Sequence, residues 1–327
     1  MDVTLIVCAY AMSRELPRTI YSLSRDYQRG LADIEYEILV VDNGSPEPVN
    51  EAALRRIAPN LRVLQTRPAP QSPVKAINAA AEASDSRMLG VFIDGARVAS
   101  PGLIARALDA YESDSTKVIG TLGFHLGPDV QMRSFFAGYN QAVEDQLLST
   151  IPWRENGYTL FHISVLAGSS TEGWFGCISE SNGVFLDRRM WRALGGFDER
   201  FGAPGGGVVN LDFWERAVSA SGYRPWIILG EATFHQVHGG AATNGTEAAR
   251  AQMFDEYRQI RGRDFVTPRY RPQFVGCLNE EVMRAGYVLR SELEALYARI
   301  AVFEASRSWR ITAPLRAIAG ALRWISG

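Results

Sequence analysis

Val3-Thr-Leu-Ile-Val-Cys-Ala9 and Glu37-Ile-Leu-Val-Val41-Asp42-Asn43-Gly44-Ser45 are the two stretches whose reading decides the fold. Both open as near-continuous apolar runs rich in β-branched residues, the pattern of strands buried on both faces. Between them Leu16, Ile20 and Leu23 recur at helical spacing within residues 13–28, with Ser13 placed to cap and Pro17 in the opening turns. This predicts a β-α-β unit. The rhythm continues with a helix over 51–57, a strand over 61–65, a helix over 74–83 and a strand over 88–93 that ends in Asp94-Gly-Ala-Arg97. A helix over 101–111 and a strand over 117–123 follow. Strands alternating with helices predict an α/β chain: a mostly parallel sheet with helices on both faces and right-handed crossovers. Ligands of such sheets sit at the carboxyl ends of the strands, where Tyr10, Asp42 and Asp94 fall.

Outward from this core the pattern is less regular. Residues 126–176 carry no clear period. A strand over 180–186, a helix over 188–194 closed by Gly195-Gly196, a helix over 210–221 closed by Gly222 and a short strand over 226–229 come next. After residue 245 the composition shifts to Arg, Glu, Ala and Leu, with helical stretches at 246–262 and 279–305. The expected organisation is a catalytic domain over 1–245 and a helical extension over 246–327. Residues 306–327 hold Arg307, Arg310, Arg316 and Arg323, no acidic residue, and Trp309, Leu315 and Trp324 between them. Such a basic amphipathic tail suits peripheral contact with an anionic membrane surface, or packing on the catalytic domain or a second copy of the chain.

The 327 residues are 46% hydrophobic, enough for a full core, and carry 34 basic against 36 acidic side chains. A net charge of −2 gives no field that would gather nucleic acid. Cys8, Cys177 and Cys277 are an odd number without metal-ligand spacing, the usage of a reducing cytoplasm. The first ten residues lack the basic start of a signal peptide, and no apolar stretch reaches the ~18 residues of a membrane span. The turn after the first strand, Cys8 to Glu15, contains no glycine, so the dinucleotide signature of dehydrogenases is absent.

Four constellations carry candidate chemistry. Asp42 stands where a strand becomes a turn; it either accepts hydrogen bonds from ribose hydroxyls or a base, or orders an Asx-type turn. Asp94, at the next such edge, either ligates a divalent cation bridging two phosphates, or caps a helix or pairs with Arg97. Gly195-Gly-Phe-Asp-Glu199 precedes a Gly205-Gly-Gly207 loop and then Asn210-Leu-Asp212-Phe-Trp-Glu215-Arg216. His235 and His238 are three apart after an apolar segment. On an extended strand they face opposite ways, so one of them is expected to bind an ion but not both, unless the chain turns. Trp153, Trp174, Phe175 and Trp214 have core packing as their default role.

The ordered set Thr4-Leu-Ile-Val-Cys-Ala-Tyr10, Val41-Asp-Asn-Gly-Ser45, the Asn78 helix leading into Phe92-Ile-Asp-Gly95, Gly195-Gly-Phe-Asp-Glu199, Gly222-Tyr223 and His235 or His238 resembles the family 2 glycosyltransferases of GT-A fold, over about residues 3–240. The resemblance implies transfer of a sugar from a nucleoside-diphosphate sugar to an acceptor hydroxyl with inversion, in cell-surface polysaccharide or glycan synthesis in bacteria. It implies nucleotide contacts from Ala9, Tyr10, Asp42, Lys75, Asn78 and Asp94, and acceptor contacts from Trp174, Asp198 and Glu199. Asp94 matches the first Asp of the family's Asp-x-Asp motif, whereas Ala96 replaces the second, so a magnesium or manganese ion would rest on Asp94 with His235 or His238, or be replaced by Arg97 or Lys75. The family's acidic motif falls on Val209-Asn210-Leu211-Asp212. Asn210 cannot accept a proton, so Asp212, and after it Glu215, are the expected bases. Lipid-linked or glycan acceptors, a cytoplasmic site at the inner membrane face and a homo-oligomer complete the expectation. The competing readings are a silent sugar-nucleotide-binding protein on the same scaffold and a nucleotidyltransferase.

Overall fold

The computed structural model describes residues 1–239 and 247–285. The chain divides into two compact units, Met1–Leu278 and Asn279–Gly327. In the second, residues 280–285 are helical; the remainder of the expected helix over 279–305, and the basic tail, lie outside the described residues. The first unit runs β1 (Val3–Ala9), α1 (Leu16–Leu23), β2 (Tyr36–Asp42), α2 (Glu51–Arg55), β3 (Leu61–Gln65), α3 (Val74–Glu82), β4 (Met88–Phe92), β5 (Arg97–Ala99), α4 (Leu103–Ser113), β6 (Ile119–Leu126), α5 (Gln131–Ser134), α6 (Gln141–Ser149), β7 (Ser164–Leu166), β8 (Val184–Asp187), α7 (Arg188–Ala193), α8 (Val209–Ala220), β9 (Trp226–His235), α9 (Glu247–Arg261) and β10 (Gln273–Gly276).

All seven residues of β1 are buried, which is why its sequence does not alternate. Val3, Leu5 and Val7 pack in one cluster with Ile20 and Leu23 of α1 and with Ile38 and Val40 of β2. Each such side chain contributes about 1.5–3 kcal/mol on burial. The sheet order is β10-β9-β6-β8-β4-β1-β2-β3, with β5 added on β9 and β7 on β6. The β3-β2-β1-β4 portion is parallel throughout, as the alternation requires. Between β1 and β4 the chain order reverses direction across the sheet, the place where such folds open a ligand crevice.

The other half departs from the sequence reading. β8 enters antiparallel between β4 and β6, so the sheet is mixed. β9 is ten residues long, not four. Gly230, at φ +76°, breaks its apolar run, and Glu231 follows it into the interior. That carboxylate is satisfied by the Ser100 hydroxyl at 2.5 Å, the Gly102 N–H at 3.0 Å and the Tyr158 hydroxyl at 2.7 Å. Ser13 does not cap α1, which begins at Leu16 with no side-chain cap. The expected boundary at residue 245 also shifts: β10 pairs in parallel with β9, Gln273 beside Trp226, and packs Val275 on the core, so the first unit continues to Leu278.

Candidate active site

The carboxyl ends of β1 and β4 and the end of β9 meet at Asp94. The Ala96 N–H donates to Asp94 Oδ1 at 3.0 Å, which turns Oδ2 towards His235 Nε2 at 2.6 Å and His238 Nε2 at 3.4 Å. The two histidine nitrogens are 3.1 Å apart. Both histidines reach Asp94 because the chain turns, the exception that the sequence reading left open: β9 stops at His235 and the chain turns over the next three residues. The Gln236 N–H bonds the Ala96 carbonyl at 2.8 Å and its side-chain amide donates to the Glu15 carbonyl at 3.2 Å. The Val237 N–H donates to Glu144 Oε2 at 2.7 Å.

Burial and mutual charge shift all four groups of the cluster. Burial alone would raise the Asp94 carboxyl, but the charges and hydrogen bonds of His238 and His235 outweigh it and hold it well below the usual carboxylate range. Burial depresses His235 to about 4 despite Asp94, so it is neutral at pH 7. His238, where burial acts downward, is lifted on balance by Asp94. Arg97 is buried with its Nε 4.0 Å from Asp94 Oδ2; desolvation lowers its pKa while Asp94 and Glu180 act to raise it. Neither its Nε nor its Nη1 has a hydrogen-bond partner among the described residues.

Two imidazoles and one carboxylate fit a divalent cation. Adjacent ligands of a six-coordinate ion with bonds of about 2.1 Å lie about 3 Å apart, √2 times the bond length. The observed spacings of 2.6, 3.1 and 3.4 Å bracket that value. All three ligand atoms lie within 4.8 Å of one another, and no other such group occurs among the described residues. His235 Nδ1 is buried without a hydrogen-bond partner, so the ring's polar engagement runs through Nε2 alone.

A cleft of about 530 Å³ opens past the ends of β1 and β2, lined by Ala11, Met12, Ser45, Pro46, Asn50 and Leu54 among others. The Ala11 N–H donates to Ser45 Oγ at 3.0 Å, tying the ends of β1 and β2 together around it. Tyr10 is 55% exposed and Ala9 is buried.

Other expected contacts are placed elsewhere. Asp42 is fully buried, and its two oxygens accept the Ser45 N–H at 2.9 Å and the Val49 N–H at 3.1 Å: the turn role prevails. Asn78 clips the backbone of Phe197, donating to its carbonyl at 2.8 Å and accepting its N–H at 3.0 Å. Lys75 is 69% exposed, with Glu199 4.0 Å away. Asp198 pairs with Arg200 and Arg261. Asp212 has a 1% exposed side chain held by Arg216 and Arg261, and Glu215 accepts from Tyr257 and Arg263, so neither expected base faces Asp94 as a free carboxylate. Trp174 donates to the Ile228 carbonyl at 3.0 Å and packs against Phe124 and Phe161; Trp153 and Trp214 are buried, and Phe175 is exposed. The sequence reading missed Glu144 and Glu180: the first lies in the stretch without a period, and the second is near the site only because β8 runs antiparallel.

The sequence profile described as "Glycosyl transferase family 2" matches residues 4–167, just over half of the chain. No curated protein matches it. Similar solved structures include S. aureus TarS, 11% identical with a TM-score of 0.45 over 79% of this chain and 42% of that one. TarS 1–349 in complex with UDP-GlcNAc is 12% identical with a TM-score of 0.49, over 80% of this chain and 65% of that one. The UDP complex of TarS 1–349 is 11% identical with a TM-score of 0.43, over 79% and 70%. The chain thus spans less than half the length of the longest of these.

Proposed function

This chain belongs to glycosyl transferase family 2, and from that premise we propose that it is an inverting enzyme that moves a sugar from a nucleoside-diphosphate donor to an acceptor hydroxyl in glycan or surface-polysaccharide synthesis. The observation that carries the reading is the convergence of Asp94, His235 and His238 at the carboxyl edge of the sheet, with a cleft of nucleoside size whose Met12 stands against Gly95, the residue after Asp94. The nucleoside end of the donor occupies that cleft, with Tyr10 exposed to stack on the base. The diphosphate end reaches Asp94.

Asp94, His235 and His238 would hold a divalent cation, and two nitrogen ligands favour manganese over magnesium, which prefers oxygen. When bound, such an ion supplies positive charge opposite the charge that accumulates on the departing diphosphate. Arg97 adds a fixed positive charge from the interior, pre-oriented and shielded from water. A single displacement at the anomeric carbon inverts its configuration. No helix among the described residues is long and apolar enough to cross a membrane. The basic, tryptophan-bearing sequence of 306–327 supports peripheral docking on an anionic surface where a lipid-linked acceptor would reside. Residues 306–327 are proposed as the segment that serves this contact.

Melting curves with uridine, guanosine and thymidine diphosphates, each with manganese, magnesium or EDTA, test the site. One nucleotide is expected to raise the melting temperature with manganese and not with EDTA, because a ligand of the native state alone stabilises it. If no nucleotide shifts the curve under any condition, the assignment of the cleft fails.

A further inference from the structure

The transfer reading needs a carboxylate that takes the acceptor proton, and Asp212 and Glu215, the expected bases, are otherwise committed, as are Asp42, Glu144 and Asp198. Asp42 and Glu144 bond backbone N–H groups from buried positions; Asp198 and Asp212 pair with arginines; Glu215 is held by Tyr257 and Arg263. We propose that Glu180 is the general base of the transfer, positioned by Asn210, and this inference rests on the glycosyl-transfer reading of the Asp94 site.

Strand direction puts Glu180 there. β8 runs antiparallel to β4, with Val184 opposite Val91 at the end of the ladder. Continuing that count sets residues 180–182 opposite residues 93–95, at the carboxyl edge that Asp94 occupies. Gly183 makes the close approach: it lies at φ +136°, and a Cβ there would stand 3.3 Å from the Phe92 ring. Arg97 interacts electrostatically with both Asp94 and Glu180, which places the two carboxylates around one buried cation.

Asn210 supplies the second argument. It is buried in the first turn of α8, and its amide donates to Glu180 Oε2 at 2.9 Å, to Asn182 Oδ1 at 3.2 Å and to the Ser181 carbonyl at 3.3 Å. An aspartate at this position would confront three acceptor oxygens. An asparagine instead orients the Glu180 carboxylate through a neutral N–H and leaves its charge intact. Among the described residues no cation lies within ion-pairing distance of Glu180, and its side chain is half-buried, so Oε1 is open to a hydroxyl. The acidic function that the helix lacks at Asn210 thus stands on the segment that leads into β8, one hydrogen bond away.

In the step, a lone pair of the acceptor oxygen forms the bond to the anomeric carbon. The bond from that carbon to the diphosphate oxygen breaks, and its electron pair leaves with the nucleoside diphosphate. The hydroxyl proton passes to Glu180. Base catalysis of this kind contributes about 100- to 10,000-fold.

The test uses the full chain with manganese and four donors, UDP-glucose, UDP-N-acetylglucosamine, GDP-mannose and dTDP-rhamnose, with water as acceptor, and measures nucleoside diphosphate release and donor Kd. Glu180→Gln is expected to slow release by at least 100-fold while donor Kd stays within threefold. Glu180→Ala is expected to regain release in sodium azide, with a glycosyl azide as product, because azide attacks without a proton to lose; a residue of merely structural importance shows no such rescue. If the unaltered chain is active and Glu180→Gln remains within threefold of it, the proposal falls and the transfer reading stands. If activity is lost but azide does not restore it, or donor Kd shifts to the same extent, Glu180 is structural and the proposal again falls. If the unaltered chain releases nucleotide from none of the donors, the transfer reading fails and takes the proposal with it.

Discussion

At the scale of single residues, environment separates two similar carboxylates, one free for the proposed ligand role and the other a strut. Asp94 is 20% exposed and shares its Oδ2 with two imidazoles, whereas Asp212 is 1% exposed and faces two guanidinium groups. Removing one member of a buried pair leaves the other uncompensated, at about 3–5 kcal/mol; because Arg216 and Arg261 retain some contact with water, Asp212→Asn is expected to cost about 2–3 kcal/mol in urea unfolding. Its manganese affinity should be unchanged, and a weakened ion would return Asp212 to the site. The converse holds for His238→Ala: calorimetry should show manganese binding weakened by more than about 100-fold, since loss of a ligand exceeds the 10- to 100-fold effect of outer-shell changes, with little change in unfolding. Asp94, His235 and His238 were legible in the sequence because each pairs a chemistry-bearing side chain with the end of an apolar run. That both histidines converge was not, because a spacing of three separates two side chains on a strand and joins them on a turn, and the turn is made by contacts to Ala96, Glu15 and Glu144.

At the scale of elements, the parallel half of the sheet was readable because strands buried on both faces announce themselves as unbroken apolar runs. β8 was readable as a strand but not in its direction, which depends on how residues 126–176 return the chain, and so Glu180 could not be assigned to the carboxyl edge. β9 was cut short because Gly230 and Glu231 look like a loop until the Glu231 partners Ser100, Gly102 and Tyr158 are known. Where strands meet, size is as strictly set as polarity. Gly90 lies in the middle of β4 between Leu5 of β1 and Phe185 of β8, and a Cβ there would stand 2.6 Å from the Phe185 ring and 2.8 Å from a Leu5 methyl. Gly90→Ala is therefore expected to destabilise by about 1–3 kcal/mol, the usual cost of overpacking. Phe185→Leu in the same chain should recover part of that loss, so that the double variant is more stable than the sum of the single changes allows. Strict additivity would mean that the ring is not what the new methyl meets.

At the scale of the whole molecule, the site is assembled by elements more than a hundred residues apart, and one buried carboxyl joins them. Glu144 of α6 accepts the Val237 N–H beside His238, pairs with Arg14 ahead of α1 at 3.1 Å, and lies 3.5 Å from the Tyr139 hydroxyl. Arg18 acts on it from α1, and Arg14 also bonds Glu15 and Asp145. Burial pushes its pKa up to about 7 even though the Val237 N–H, Arg14 and Arg18 all act to lower it. A folded-state pKa above the unfolded value of about 4.3 means that the native chain holds a proton that the unfolded chain has released between those limits. The resulting stabilisation is complete below about pH 4.3 and is lost as pH rises through 7. The shift corresponds to roughly 3–4 kcal/mol across the window, at about 1.36 kcal/mol per pH unit. Glu144→Gln keeps an oxygen for the Val237 N–H but cannot titrate. Measured by urea unfolding from pH 4.5 to 8, the stability of the variant relative to the unaltered chain should therefore rise with pH, with most of the change above pH 5 and a plateau near 8. Parallel curves would remove Glu144 from this role, and a variant that falls further behind with rising pH would mean that the ionised carboxylate, through Arg14, is the form that holds the turn.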